Sequence, residues 1–322
     1  MNGLKRILFV QKREAVDGHE TLIRHRLQSG LDKALIEIAT SPDEIEPGPY
    51  AAVIAPTLPW LDQVLARTGP VPWVHFLSSG VEKIWSMPID WSNTALSRSA
   101  GIHGPQMSEY VIGALLHFTK SFDHFIEQSR NARWQRHWLD ELTGRNMVIL
   151  GAGAIAKAVA QRARAFDMRV TAVTRRPRDL DWADAVISVK DLRQHCGGFD
   201  AMVVCLPLTD QTQGLVDREI LDRLDPGGIV VDISRGGVVV TDDMIARLNS
   251  GHLRGAALDV FPEQPLSASS PVWNRPDILV TPHVSGTSPH YLPRALDLFI
   301  ENATAWFERG ELVTPVDRAL GY

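Results

Sequence analysis

Short apolar runs alternate with amphipathic and alanine-rich stretches along most of the chain. Runs of a few β-branched and aliphatic residues between turn residues are typical of strands that are buried on both faces. In the first part of the chain they predict strands at residues 6–10, 34–38, 51–55 and 74–77, with helices at residues 21–28 and 58–67. In the second part they predict strands near residues 185–189, 201–206, 229–233, 254–258 and 278–281. This alternation predicts an α/β architecture with parallel sheets.

The longest helical patterns lie between and after these two groups of strands. They predict helices at residues 105–125, 125–137 and 291–307. Trp134 and Trp138 are spaced to share one face of the second helix, which favours packing or interface roles over contact with a substrate. The last helix follows all the strands, so it can return to the first domain, which would then be discontinuous.

A glycine-rich turn separates the two groups of strands. The segment Asn146-Met-Val-Ile-Leu-Gly151-Ala-Gly153-Ala-Ile-Ala156 predicts a strand, a tight turn and the start of a helix. Gly151 permits the turn, Gly153 lets a pyrophosphate approach the backbone, and Ala156 lets helix and strand pack closely. The helix start offers free N–H groups and a partial positive charge to an anion. Glycine pairs also serve ordinary turns, but here the pattern indicates a dinucleotide site that includes Ala154 and Ile155.

The segment after the next strand indicates which dinucleotide binds. A strand at residues 169–174 follows the helix, and the residue that meets the adenosine ribose is expected about 20 positions after the glycines. The chain has Thr174, Arg175 and Arg176 there, and the first carboxylate is Asp179. Guanidinium groups bind a ribose 2′-phosphate, which a carboxylate would repel. We predict NADP(H) as the preferred cofactor, with NAD(H) left open; a solvated basic loop is the alternative interpretation.

Composition excludes several other classes of function. The chain has 322 residues and a net charge of −5, so we predict no nucleic-acid or membrane partner. No apolar run approaches the roughly 18 residues that span a bilayer, and the first one is too short for a signal sequence. Cys196 and Cys205 have neither metal-site nor disulfide spacing. We predict a cytoplasmic protein without a metal ion.

Polar residues follow three predicted strands of the second half. They are Arg235, then Asp259 and Gln264, and finally His283. Ligands of open α/β sheets bind at the carboxyl ends of the strands, so we expect these side chains to converge there. Arginine binds a carboxylate through two parallel hydrogen bonds, and histidine transfers a proton near neutral pH. With a nicotinamide hydride, these groups suffice to reduce a 2-oxo acid; the alternatives are an ion-pair role for Arg235 and a turn cap for Asp259.

Together these motifs resemble the D-isomer-specific 2-hydroxyacid dehydrogenase family, which includes glyoxylate/hydroxypyruvate reductases and phosphoglycerate dehydrogenases. The resemblance covers most of the chain, and its order and spacing are far more specific than the glycine turn alone. Besides that turn it includes Leu142-Thr-Gly144, Cys205-Leu-Pro207-Leu-Thr209, Ser234-Arg235-Gly-Gly, Leu258-Asp259-Val-Phe and Thr281-Pro-His283.

The resemblance implies two Rossmann-like doubly wound domains. A nucleotide-binding domain, residues 101–287 with the interdomain and dimerisation helices, would be inserted into a discontinuous flavodoxin-like substrate domain, residues 1–100 and 288–322. The active site would lie between the domains, and the protein would be a homodimer. The implied reaction is reduction of a glyoxylate- or hydroxypyruvate-type acid to the D-2-hydroxy acid.

The resemblance also implies a role for each site residue. Arg235 would bind the substrate carboxylate and carbonyl, His283 would be the general acid/base, and Asp259 would hold the nicotinamide carboxamide. The substrate carboxylate would also meet backbone amides of the loop Ser78, Ser79, Gly80 and Val81. The other predicted cofactor contacts are Leu206, Pro207, Thr212, Ile233, Ser234, His283 and Gly286.

Gln264 is the one clear departure from the family pattern. The family usually has a glutamate there, which hydrogen-bonds the histidine and favours its protonated form. Glutamine can orient the ring but adds no negative charge, so His283 should lose its proton at a lower pH than in most relatives. Glu263 could replace the missing glutamate only through a register shift. A Gln–His pair also resembles formate dehydrogenases, so formate-type hydride transfer and an NADP-binding sensor without catalysis remain alternatives.

Overall fold

The computed structural model describes residues 5–195, 197–319 and 321, so Cys196 lies outside the described residues. The strands are β1 (Lys5–Val10), β2 (Ala34–Ala39), β3 (Ala52–Ala55), β4 (Trp73–Phe76), β5 (Ala95–Arg98), β6 (Asn146–Leu150), β7 (Arg169–Thr174), β8 (Ala185–Ser188), β9 (Phe199–Val204), β10 (Leu224–Asp232), β11 (Leu253–Leu258) and β12 (Ile278–Val280). The α-helices are α1 (Arg13–Val16), α2 (Glu20–Gly30), α3 (Leu61–Thr68), α4 (Gly104–Thr119), α5 (Phe122–Arg130), α6 (Ala154–Ala165), α7 (Leu192–His195), α8 (Arg218–Leu221), α9 (Thr241–Asn249) and α10 (Tyr291–Arg309). Within the described ranges no helix combines the length and apolarity that crossing a membrane requires.

The chain divides into two compact units, Met1–Ile102 with Ser288–Tyr322 as the first and His103–Thr287 as the second. The first unit has a parallel sheet of strand order β2-β1-β3-β4-β5, which is the flavodoxin-like order. Alternate strand residues face two apolar layers, one with α3 and one with α2 and α10. Phe299 of α10 stacks on Trp73 of β4, with ring centroids 4.9 Å apart, so the last helix is part of the first unit.

The edge strand β5 was not predicted from the sequence. Its outer side is covered by the C-terminal tail: Arg98 N donates to Thr314 O at 3.1 Å, and Val316 N donates to Leu96 O at 2.9 Å. Buried Asn302 of α10 holds this tail, since its Oδ1 accepts the Thr314 N–H at 3.0 Å. The pairing leaves this edge of the sheet with a partner for its backbone groups.

A buried polar cluster joins β4 to β5 in the first unit. His75 of β4 is fully buried, and its Nδ1 and Nε2 lie 2.7 and 3.2 Å from the hydroxyls of Ser97 and Ser99. Trp73 Nε1 also donates to Ser97 Oγ at 2.9 Å. Burial lowers the pKa of His75 to about 3, so the imidazole is neutral and the hydroxyls supply whichever partner each ring nitrogen needs.

The second unit has a parallel sheet of strand order β12-β11-β10-β9-β6-β7-β8. This is the dinucleotide-binding order with one further strand, and the chain reverses direction across the sheet between β6 and β9. One face packs on α4 and α6, and the other packs on α8 and α9. Two parallel-sheet α/β units confirm the predicted fold class.

The helix predicted at residues 125–137 is wrong in its second half. Helix α5 ends at Arg130, and Ala132 then has a φ of 48° in the left-handed region, where a helix cannot continue. Residues 131–139, here called the arm, contain neither helix nor strand. Trp134 and Trp138 therefore share no helix face, and their side chains are 99% and 95% exposed.

Candidate active site

The glycine turn joins β6 to α6 at the reversal point of the second sheet. Gly151 has a φ of 124°, and a Cβ there would lie 3.0 Å from the carbonyl oxygen of Cys205. Gly153 caps the helix with extended backbone, and a Cβ there would meet nothing within 4 Å. Gly151 thus serves the close approach of β6 and β9, whereas Gly153 leaves open space in front of the first N–H groups of α6, including those of Ala154 and Ile155.

The end of β7 presents the two predicted arginines. Thr174 is half-buried as the last residue of the strand, and Arg175 and Arg176 are exposed directly after it. This strand is the neighbour of β6, so the basic pair lies beside the strand that leads into the glycine turn. The placement suits a phosphate on the adenosine ribose.

The loop after β9 is fixed by a threonine hydroxyl. Thr212 Oγ1 accepts the Thr209 N–H at 2.8 Å and donates to Pro207 O at 2.7 Å. These bonds close a short turn on the far side of β6 from β7. Leu206 and Pro207, both predicted cofactor contacts, are half-buried at its start.

The loop after β10 brings Arg235 to the same edge of the sheet. Ile233 and Ser234 are buried, and Arg235 is half-buried with its Nη1 donating to Ser234 O at 2.9 Å. A Cβ on Gly236 would lie 1.9 Å from the carbonyl carbon of Phe261. Only glycine therefore allows this loop to pack on the backbone of the loop after β11.

Asp259 anchors the turn after β12. Its side chain is 1% exposed. Its Oδ1 accepts Thr281 Oγ1–H at 2.6 Å and Val284 N–H at 2.8 Å, and its Oδ2 accepts Ser285 N–H at 3.0 Å. The Thr281 hydroxyl also lies 2.8 Å from the hydroxyl of Tyr110 in α4. The carboxylate thus fixes residues on both sides of His283, which corresponds to the turn-cap role that the sequence offered as the alternative.

His283 pairs with Gln264 in this turn. Its backbone φ is 55°, in the left-handed region, and its N–H donates to Asp259 O at 2.9 Å. Its Nδ1 lies 3.0 Å from Gln264 Oε1. Gln264 Nε2 donates to Phe261 O at 3.1 Å. Because Phe261 O can only accept, the Gln264 oxygen faces the ring, so Nδ1 of His283 carries a hydrogen and Nε2 is the atom left to exchange a proton.

Two further predicted groups are placed by local contacts. Gly286 O accepts Gln106 Nε2–H at 3.1 Å, which ties the end of the His283 turn to α4. In the first unit the loop Ser78, Ser79, Gly80 and Val81 follows β4, and Arg98 Nη1 donates to Ser79 O at 2.7 Å. Across the described residues no group of three or more His, Cys, Asp or Glu side chains could hold a metal ion.

Comparison with known families agrees with this geometry. Residues 112–285 match the model of the D-isomer specific 2-hydroxyacid dehydrogenase, NAD binding domain. The chain belongs to this family. It is thus an oxidoreductase of the 2-hydroxyacid dehydrogenase type, and the predicted family and nicotinamide dinucleotide cofactor are confirmed.

Curated relatives of the 2-hydroxyacid dehydrogenase family include two named glyoxylate/hydroxypyruvate reductase A. The chain is 30% identical to that of Serratia proteamaculans over 300 residues, which cover 88% of this chain and 91% of the relative. It is 34% identical to that of Salmonella choleraesuis over 223 residues, which cover 68% and 70% of the two chains.

Solved structures of the same dehydrogenase family have the same fold. A family member from Aeromonas salmonicida has a TM-score of 0.86 at 28% identity, covering 97% of this chain and 99% of that one. One from Xanthobacter autotrophicus, in complex with NADPH and MES, has a TM-score of 0.83 at 26% identity, covering 99% and 100%.

Proposed function

We propose that this protein reduces a small 2-oxo acid of the glyoxylate or hydroxypyruvate type to the D-2-hydroxy acid. The observation that carries the proposal is the His283–Gln264 pair, 3.0 Å between Nδ1 and Oε1. The two residues follow β12 and β11, and β11 is the neighbour of β10, which leads to Arg235. A proton donor and a carboxylate-binding cation at one edge of a dinucleotide-binding sheet are the groups this reduction needs. The names of the Serratia and Salmonella relatives support this class of substrate.

His283 supplies the proton in this scheme. Gln264 holds Nδ1–H, so the protonated ring presents Nε2–H to the substrate carbonyl oxygen and donates its proton as that oxygen gains negative charge. Arg235 binds the carboxylate and stabilises the developing charge. The turn built on Asp259 keeps the ring in place, because the backbone on both sides of His283 is bound to one carboxylate.

NADP(H) is the proposed preferred cofactor, and the glycine turn fits a dinucleotide. Gly153 leaves the N-terminus of α6 uncovered, and Arg175 and Arg176 are exposed one strand away, where they would hold the 2′-phosphate. When bound, NADPH supplies the hydride. The NADPH complex of the Xanthobacter relative supports this preference. Individual contacts, including Asp259 to the carboxamide and the Ser78–Val81 loop to the substrate, stay predictions, as does the cytoplasmic location.

An absorbance assay tests the reaction. We expect NADPH oxidation with glyoxylate or hydroxypyruvate, and we expect Arg235→Gln to lower kcat/KM by about 100-fold, because the bidentate carboxylate contact is lost. Arg193→Gln, which breaks a surface ion pair with Asp217, is the control and should change kcat/KM less than about twofold. Tight NADPH binding without turnover of any short 2-oxo acid would contradict the proposal and favour the sensor alternative.

Formate oxidation is the second candidate, favoured specifically by the Gln264–His283 pair. Hydride transfer from formate requires no proton transfer, so a neutral partner for the histidine is sufficient. The same assay, run with formate and NADP⁺, decides between the two. Turnover of formate in the absence of 2-oxo acid reduction would replace the first proposal.

The cofactor preference is tested by Arg175→Ala/Arg176→Ala. We expect the NADPH-over-NADH ratio of kcat/KM to fall at least about tenfold, since two charged contacts to one phosphate are lost. Arg169→Ala, at the exposed opposite end of the same strand, should leave the ratio unchanged. An unchanged ratio in the double variant would exclude this phosphate site.

A homodimer is the proposed assembly, and the arm supports it. The arm is held on both sides of its tryptophans, where Arg133 N donates to Gln128 O at 2.9 Å and Asp140 N, directly after the arm, donates to Thr119 O at 3.0 Å. Between these anchors two indoles lie in solvent. Large, fully exposed aromatic side chains on a fixed segment are typical of a protein interface.

The surface of α5 complements the arm. Its Phe122 and Ile126 side chains are each 49% exposed, and acids at positions 123 and 127 flank them, whereas arginines at positions 133 and 136 flank the tryptophans of the arm. Apolar groups with opposite charges on two pieces of one chain fit a symmetric contact between two copies. Light scattering of the eluted protein should give a dimer mass for the wild type and a monomer mass for Trp134→Ser/Trp138→Ser. Leu35→Ser, at an exposed position of the first unit, should stay dimeric; a monomeric wild type would contradict the assembly.

A further inference from the structure

Two buried carboxyl groups end neighbouring strands of the second sheet. Asp232 closes β10 and is 2% exposed, and Asp259 follows β11 and is 1% exposed. The Asp259 N–H donates to Asp232 O at 3.0 Å. The Tyr110 hydroxyl lies close to both carboxyl groups, and its pKa is raised to about 12, first of all by burial. The proposed reaction gives a role to Asp259 but not to Asp232.

The two carboxyl groups have different hydrogen-bond donors. Asp259 accepts three donors, two of them backbone N–H groups from the turn that carries His283. Among the described residues, the donors to Asp232 are the N–H and the hydroxyl of its neighbour Ser234, both to Oδ1, at 3.0 and 2.5 Å. Donors on both oxygens stabilise an ionised carboxylate. Two adjacent buried anions repel each other, so one of the pair favours the neutral form, and the donor sets make that one Asp232.

The groups around Asp232 offer little positive charge. From α4 it faces Tyr110, from the end of β9 it faces Cys205, and from the end of β11 it faces Asp259. Tyr110 and Cys205 are neutral near pH 7, because burial raises the pKa of each. On its own loop, half-buried Arg235 is the nearest cation in sequence. Burial, with a smaller contribution from Asp259, raises the pKa of Asp232 to about 7.

We propose that Asp232 holds a proton in the working enzyme and is a positioning residue for His283, because its neutral form leaves Asp259 as the single charge that fixes the His283 turn. Loss of this proton places a second anion beside Asp259 and weakens the hold on the turn. The proposal rests on the proposed reaction for its catalytic consequence. The protonation itself is independent of what the enzyme turns over.

Carbon-13 NMR of protein labelled at the aspartate carboxyl carbon tests the protonation directly. One resonance of the wild type should titrate close to pH 7 instead of near pH 4, and it should be missing from Asp232→Asn. The variant is isosteric with the protonated acid and cannot ionise. If every aspartate resonance of the wild type titrates below about pH 5, the proposal is overturned, whatever the activity of the enzyme.

Stability against pH provides the second measurement. The pKa of Asp232 is raised from 3.8 in the unfolded chain to about 7, so its stabilising contribution is complete below pH 3.8 and is lost as the pH rises towards 7. The Tm of Asp232→Asn relative to wild type should therefore increase by roughly 5 °C or more between pH 5 and pH 8. Asp184→Asn removes an exposed carboxylate that accepts Val170 N–H at 2.7 Å. It should show no such pH-dependent difference.

The positioning role is tested by kinetics. The ratio of kcat/KM at pH 6 to that at pH 8.5 should be at least about threefold larger in the wild type than in Asp232→Asn, because only the wild type gains the second anion. If the two proteins have equal ratios and one carboxyl carbon still titrates near pH 7, the positioning role is refuted but the protonation of Asp232 stands. A wild type that turns over no acid would refute the proposed function and leave the NMR result to decide the protonation.

Discussion

Two buried polar centres, one in each unit, hold their surroundings by opposite means. His75 in the first unit is bound by the hydroxyls of Ser97 and Ser99, which can donate or accept. Asp259 in the second unit is bound by a hydroxyl and two backbone N–H groups. A hydroxyl adapts to a neutral partner, whereas a backbone N–H can only donate and therefore selects an anion.

The difference indicates what each centre can do. The neutral cluster around His75 joins β4 to β5 and stabilises a sheet. The charged centre holds a turn in which His283 has left-handed backbone, and so maintains a geometry that the chain would not adopt unaided. Changes at the charged centre should therefore affect catalysis, and changes at the neutral centre should affect stability.

The largest effect should come from Asp259→Asn. Asparagine has one acceptor oxygen and places an NH₂ group against a backbone N–H, so at least one buried donor loses its partner, at about 1–3 kcal/mol. We expect kcat/KM to fall at least about 100-fold, with a lower Tm. Asp277→Asn, which removes a partly exposed partner of Arg275, should change kcat/KM less than twofold. Comparable losses in the two variants would show that the charged centre has no special role.

Gly236→Ala should have the next largest effect, because it changes the site through the backbone. The added Cβ would lie 1.9 Å from the Phe261 carbonyl carbon, and the oxygen of that carbonyl orients Gln264. We expect kcat/KM to fall about tenfold or more. Gly113→Ala, on an exposed helical position where a Cβ meets nothing within 4 Å, should be neutral or slightly stabilising. Steady-state kinetics and thermal melts of both variants check the prediction.

The neutral centre predicts a pH dependence of stability without a direct effect on catalysis. Burial lowers the pKa of His75 from 6.5 to about 3. Between these two pH values the imidazole is therefore protonated in the unfolded chain and neutral in the folded one. The contribution of His75 is complete above pH 6.5 and is lost as the pH falls towards 3. Tm should fall with decreasing pH less steeply in His75→Gln than in wild type. His19→Gln, at an exposed position, should keep the wild-type slope; parallel slopes in all three proteins would contradict the prediction.

The smallest predicted effect is a shift in a pH profile. Gln264→Glu places a negative charge 3 Å or so from the His283 ring, at the position where Oε1 now lies, and so favours the protonated ring. The alkaline limb of the reduction profile should move to higher pH by up to about one unit. Glu263→Gln, which removes the neighbouring exposed carboxylate, is the control. An alkaline limb that stays in place would exclude Gln264 as the group that sets it.

Much of the fold and part of the site could be predicted because their signals are local. The glycine turn and the polar residues at strand ends need only short stretches of sequence, so Gly151, Arg235 and His283 could be identified as candidates. The contact between Tyr110 and Thr281 joins residues 171 positions apart, and no local pattern encodes it. Similarly, Ala132 continues a helical pattern in the sequence, but its left-handed φ in the structure ends the helix.

The tail that covers β5 has a practical consequence for anyone who shortens or fuses this protein. A chain that ends before Thr314 would lack the hydrogen bond from Arg98 N to Thr314 O and the antiparallel β-bridge between Ser97 and Pro315. The exposed edge could then recruit strands from other molecules. Deletions that look harmless because they lie far from His283 should thus reduce solubility first. Fusions at this end should keep residues 313–316 intact and begin after a flexible spacer.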